Sequence, residues 1–166
     1  MTDPSNIGKT TVADLIDAIG GNRVSPGAGA AGAVTLALAA ACTAKAVAIS
    51  LVHQPDHAVL RRSQAILESI GRYALAGADR DAEAFAAFIK EHTPRTIEQV
   101  IRSGDSIGCL IHVLAGTIDM IQPHIESNMA GDLVAARALA DAAHKIQLTN
   151  STEIHDEKAA LDSHLR

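Results

Sequence analysis

Apolar residues recur along this chain at helical spacing, and the polar punctuation between them marks out five segments. The first, Val12–Ile19, follows Thr10 or Thr11, either of which supplies an N-cap hydroxyl, and it stops at Gly20-Gly21. The second, Ala30–Val52, is apolar nearly all round. A break at His53-Gln54-Pro55-Asp56 opens a third helix that runs as far as Glu91. Thr93-Pro94 sets an N-cap hydroxyl before a proline at the first helical position. The fourth helix then runs to about Ile121, with Pro123 ending it and Ser103-Gly104-Asp105 as a candidate interruption. The fifth starts near Ala130 and passes Asn150, and the charged tail Thr152–Arg166 reads as either helical or frayed. Period-two alternation is scarce and β-branched residues are not gathered in short runs, so strands are not expected. The pattern predicts an all-α fold, a helical bundle of five long helices in a single domain over residues 1–166.

Composition sharpens this picture. Hydrophobic residues make up 48% of the chain and aromatics only 2%, so the core must be built from Ala, Leu, Ile and Val. Alanine lets helices approach closely but fills little volume. The stretch Ala31–Val52 is long enough to span a bilayer, yet Thr43 and Lys45 lie near its middle. A central lysine costs about 2.5–3.5 kcal/mol on insertion scales, which favours a buried core helix. A helix apolar on every side in a thin core needs more cover than one small bundle supplies, and a homodimer is the expected solution. Net charge is −5, and no basic tract is present. Nucleic-acid and membrane partners are therefore not expected. Cys42 and Cys109 form neither a disulfide framework nor a zinc pattern, and the polar N-terminus resembles no signal peptide, so a cytoplasmic location is expected.

Two places carry candidate chemistry. Ser25-Pro26-Gly27-Ala28-Gly29 runs into an alanine-rich helix. Such a small-residue turn is either a tight packing point or an anion cradle, since the first helical turn leaves N–H groups unpaired. The other place is Asp81. With 100° per residue, Val59, Ile70, Ala74, Phe85 and Phe88 fall within about 40° of it, so the carboxylate sits inside an apolar stripe. It either caps or pairs with a neighbouring element, or it is a raised-pKa acid–base group. Other patterns fail. Gly8-Lys9-Thr10-Thr11 lacks the earlier glycine of a phosphate loop, where Asp3 stands. His53 and His57 have metal-ligand spacing, but Pro55 lies between them, and no metal is expected.

The turn Ser25-Pro26-Gly27-Ala28-Gly29-Ala30-Ala31 resembles the opening motif of the cyclodeaminase/cyclohydrolase family, usually Thr/Ser-Pro-Gly-Gly-Gly-Ser-Ala-Ala. That family includes the C-terminal domain of formiminotransferase-cyclodeaminase and bacterial methenyl-tetrahydrofolate cyclohydrolases. Here Ala28 replaces the middle glycine and Ala30 the serine. Asp81-Ala82-Glu83-Ala84-Phe85 is similar to a second family segment letter for letter. A third, Asn-Ala-Ile-Ser-Asp-Leu with an asparagine eighteen residues past the Asp, is matched by Asn128, Asp132, Leu133 and Asn150, with Gly131 in place of serine. Asp132 and Asn150 then share a helix face about 27 Å apart, fitting two parts of a long ligand or two sites across a dimer. Asp132 or Asn128 equally fits a helix cap.

The resemblance implies an all-α dimer that takes a tetrahydrofolate derivative as substrate. It assigns catalysis to Asp81 and Asp132, and ligand binding to Ser25, Pro26, Gly27, Gly29, Asn128 and Asn150. The implied reaction is hydrolysis of 5,10-methenyl-tetrahydrofolate to the 10-formyl form. Formimino-tetrahydrofolate cyclodeamination ranks second, since the sequence shows no formiminotransferase domain. The other class of reading is a non-catalytic or repurposed helical dimer binding a folate-like or other small anionic ligand. Two basic family segments are replaced here, by His53-Gln54-Pro55-Asp56-His57 and by His92-Thr93-Pro94-Arg95. That leaves Arg61, Arg62 and Arg95 as the candidates to hold an anionic tail.

Overall fold

The computed structural model describes residues 6–164. Five α-helices follow in order, α1 (Val12–Gly20), α2 (Ala28–His53), α3 (Ala58–Glu91), α4 (Pro94–Ile121) and α5 (Ala130–His164). Short 3₁₀ turns occupy Ile7–Lys9, Gln122–His124 and Ser127–Met129. No strand occurs among the described residues.

The helix starts follow from local chemistry. Thr11 is the cap of α1, and its hydroxyl accepts from the Asp14 N–H at 3.1 Å. Thr93 caps α4, and Thr96 bonds back to the Thr93 N–H at 3.0 Å, a reciprocal capping box with Pro94 just inside. α3 ends at His92, the one non-glycine residue with positive φ among the described residues, at 46°.

α2, α3, α4 and α5 form an up-down-up-down bundle. α2 packs against α3 on one side and α5 on the other, and α4 closes the square against the same two. The antiparallel register of α2 and α5 is fixed at both ends: Gly32 admits Ile146, and Lys45 pairs with Asp132 at 3.0 Å. Leu36 and Val47 of α2 meet Leu60 and Leu67 of α3 and Ile107, Leu114 and Ile118 of α4 in one core. Ala30, Ala33, Ala39 and Ala46 are fully buried, so alanine brings α2 close to its neighbours. The buried hydroxyls of Thr43 and Ser50 donate to the carbonyls of Ala39 and Ala46 on their own helix. A smaller cluster of Phe88, Ile97, Ile101 and Ile154 sits where α3 ends, α4 begins and α5 finishes.

Two expectations change, the start of α2 and the interruption of α4, and the tail takes the helical one of its two readings. α2 starts at Ala28, two residues before the expected Ala30, so Gly29 is helical. α4 runs through Gly104 without interruption. The charged tail is helical to His164 because α4 and α3 hold it: Ile154 is buried, Lys158 meets Glu98 at 3.1 Å, and Glu157 meets His92 at 3.1 Å. α2 is not covered on every side. Leu38, Ala41, Ile49 and Val52 remain exposed along its outer face, Leu38 by 54% and Val52 by 72%. By length and apolarity α2 and Pro94–His124 are each able to cross a membrane, but both helices contribute to the bundle core.

Candidate active site

Asp81 is seated at the N-terminus of α2. α3 carries it past the turn Gly27-Ala28-Gly29, and a Cβ built on Gly29 would land on its carboxylate. The glycine is therefore a space requirement. Ser25 ties the turn down: its Oγ donates to the Ala82 carbonyl at 2.8 Å, one residue from Asp81. Burial pushes the Asp81 pKa up from 3.8 to about 6, while the Ala30 backbone N–H beside it pulls the other way. Desolvation wins, so the helix terminus seats the carboxylate without cancelling the cost of burying it. Both sequence readings of Asp81 thus meet in one place, a group at a helix start that also titrates near neutrality.

From this seat Asp81 faces a cleft of about 400 Å³ lined by Gly27, Ala28 and Gly29 of the turn, Phe85, Phe88 and Ile89 of α3, and Val100 of α4. His92, Asn150, Glu153, Ile154 and Glu157 complete it. That volume suits a small organic ligand. Phe88 stacks on His92, ring centroids 4.7 Å apart. His92 in turn meets Glu157 across the mouth. Three carboxylates and one histidine line the cleft, with no lysine or arginine. The chemistry favours an electron-poor or cationic group deep inside and an aromatic one against the phenyl rings.

The other expected site residues divide. Gly27, Gly29 and Asn150 line the cleft with Asp81. Pro26 lies behind the turn, lining a separate recess beside α1. Ser25 points its hydroxyl at Ala82 and so acts as a tether. Asn128 is exposed in the 3₁₀ turn before α5. Asp132 lies in the first turn of α5 and pairs with Lys45. The structure therefore does not bring Asp132 or Asn128 to the Asp81 cleft of this chain. They lie at the start of α5, and only Asn150, five turns on, reaches it. Arg61 is bound to Asp56 at 3.0 Å, and neither it nor Arg62 nor Arg95 lines the cleft.

Sequence reasoning passed over Phe88 and His92 as lining residues, and Gln147, Glu153 and Glu157 altogether. A signal for Gln147 and Glu157 existed, though none for Glu153. Residues 147, 150, 154 and 157 repeat at i, i+3, i+7 and i+10 and form one stripe of α5. Among the described residues no three His, Cys, Asp or Glu side chains converge as a metal site.

The formiminotransferase-cyclodeaminase family model matches residues 11–162. No curated protein matches the sequence. Among solved structures the chain is similar to a formiminotetrahydrofolate cyclodeaminase from Thermotoga maritima, with a TM-score of 0.82. The two are 16% identical, and the match covers 95% of this chain and 90% of that one. At that identity the likeness is one of fold.

Proposed function

Because the chain belongs to the formiminotransferase-cyclodeaminase family, we propose that it works in one-carbon folate chemistry and hydrolyses 5,10-methenyl-tetrahydrofolate to the 10-formyl form. The observation that carries this reading is the Asp81 carboxylate, its pKa raised to about 6 by burial, lining an acidic cleft together with Phe85 and Phe88. The methenyl group is an amidinium cation spread over N5, carbon and N10. A carboxylate facing it stabilises the cation and accepts a proton from the attacking water. A pKa of about 6 leaves Asp81 ionised at neutral pH yet able to hold that proton and return it. Half-buried Phe85, with Phe88 and its stacked partner His92 beside it, offers a face for the flat rings of the substrate. Cationic side chains are missing from the cleft, so the anionic tail of the substrate extends out of its mouth.

The test is the decay of methenyl-tetrahydrofolate absorbance with purified protein. Acceleration well above the buffer rate is expected. A protein that leaves this decay unchanged but releases ammonia from formimino-tetrahydrofolate would move the assignment to cyclodeamination, the other family reaction, whose product is the same cation.

The working unit of this proposal is a homodimer. The exposed stripe of Leu38, Ala41, Ile49 and Val52 lies along the outer face of α2, and only Lys45, already paired with Asp132, interrupts it. A second copy covers such a self-complementary helix face under twofold symmetry. Sedimentation at micromolar concentration should give a dimer, and Leu38→Glu should give a folded monomer. A native monomer under these conditions overturns the arrangement.

A further inference from the structure

Behind the cleft lies a second, much smaller cavity of about 20 Å³. Asp81, Val100, Asn150 and Ile154 line both spaces, so the two adjoin at the carboxylate. Gly104, Gln147 and Ser151 supply part of the remaining wall. Gln147 is 9% exposed, and its Oε1 has no hydrogen-bond partner among the described residues. A buried acceptor left unpaired costs about 1–3 kcal/mol, so its retention calls for a partner. Gly104 is part of the same arrangement, because a Cβ there would strike the Gln147 amide nitrogen. The glycine that reads in sequence as a helix break is instead the space into which a glutamine folds.

We infer that this cavity seats the attacking water of the hydrolysis proposed above, with Gln147 Oε1 and the Asp81 carboxylate as its two acceptors. The volume suits one water molecule, and a polar cavity needs two to four hydrogen-bonding partners to hold one. A water whose two hydrogens go to Gln147 and Asp81 turns a lone pair elsewhere, and the cleft is the open direction. The inference rests on the hydrolytic reading. The water oxygen bonds to the methenyl carbon as the C=N π pair moves onto nitrogen, and one water proton passes to Asp81. In the second step the carbinol O–H gives its proton to solvent, and the oxygen stays on carbon as the carbonyl forms. The C–N5 bond breaks, and Asp81 returns its proton to N5. One proton is released overall, and the formyl group stays on N10. Gln147 neither gives nor takes a proton. It is a positioning residue.

Three substitutions test this with kinetics and binding measured together. Gln147→Leu should lower kcat about 100-fold while KM stays within about twofold of native. Binding of 5-formyl-tetrahydrofolate, which has no amidinium carbon for water to attack, should be retained. Gly104→Ala should lower kcat in the same direction by displacing the amide, with Gln147 itself unchanged. Gln147→Glu keeps an acceptor but sets a second carboxylate beside Asp81, so the acid limb of the pH–rate profile should move to higher pH. That shift reports the nearness of position 147 to Asp81, whereas a merely structural role for Gln147 would not separate kcat from KM in Gln147→Leu. If native protein hydrolyses the substrate and folded Gln147→Leu retains kcat within threefold, the water site is wrong and the hydrolase reading stands. If KM rises with kcat unchanged, Gln147 is a substrate contact and the inference fails. If native protein does not accelerate hydrolysis, both readings fall together.

Discussion

Asp81→Asn is expected to abolish turnover and, at neutral pH, to make the protein more stable. The two effects have one origin. The folded-state pKa of Asp81 is raised from 3.8 to about 6, chiefly by burial. A carboxyl group with a raised folded pKa binds protons more tightly in the folded than in the unfolded chain. Its contribution to stability is fully present below about pH 4, declines through the interval up to about 6, and is absent above it. At pH 7.5 the native fold thus carries an ionised, partly desolvated carboxylate. At 1.36 kcal/mol per unit, the difference amounts to at most about 3 kcal/mol. Asparagine keeps the shape and drops the charge. Denaturation at pH 7.5 should show Asp81→Asn more stable than native, and the gap should close by pH 4. Catalytic loss should reach about 1,000-fold, within the range for removing a general base. Native kcat/KM should climb through a midpoint near 6 as Asp81 ionises, and the variant should show no such limb. An Asn variant within tenfold of native activity, or less stable than native at pH 7.5, sinks the assignment of the base to Asp81.

What the sequence disclosed and what it hid follow a physical division. Caps and breaks act over a few residues, so Thr11, Thr93-Pro94 and the break near Pro55 were legible and are found at the helix ends. Asp81 was legible because a charge within an apolar stripe is anomalous at any register. Its seat at the start of α2 was not, since that depends on how far α3 slides along α2. The same blindness affects α5. Helical periodicity sets Asp132 and Asn150 on one face but says nothing about which end meets which neighbour. In the bundle Asp132 meets Lys45, and Asn150 meets the cleft. Gly104 shows the limit most clearly. Its local signal is a weak point in a helix, whereas its role is set by Gln147, on another helix altogether.

Gly29 offers the sharpest test of the seat itself, because a single methyl group should displace the carboxylate. The Cβ of Gly29→Ala would overlap the Cγ and both oxygens of Asp81, a short side chain with little room to swing away. Either Asp81 leaves its seat or the first turn of α2 moves. Both disrupt the facing of carboxylate and cleft, and activity should fall about 100-fold or more. Overpacking of this kind costs about 1–3 kcal/mol, more than the stability that alanine gains over glycine in a helix. Asp81→Ala removes the atoms that clash. In that background Gly29→Ala should cost nothing, or stabilise by up to about 1 kcal/mol from helix propensity alone. The propensity gain is common to both backgrounds, so the double-mutant cycle should show a coupling of about 1–3 kcal/mol between positions 29 and 81. Equal costs in both backgrounds would mean that the alanine strains the turn and not the carboxylate. The close approach of Gly29 to Asp81 would then have no part in fixing the site. A large coupling would make the glycine of the turn and the aspartate of α3 one functional unit, joined by contact across two helices although 52 positions separate them in sequence.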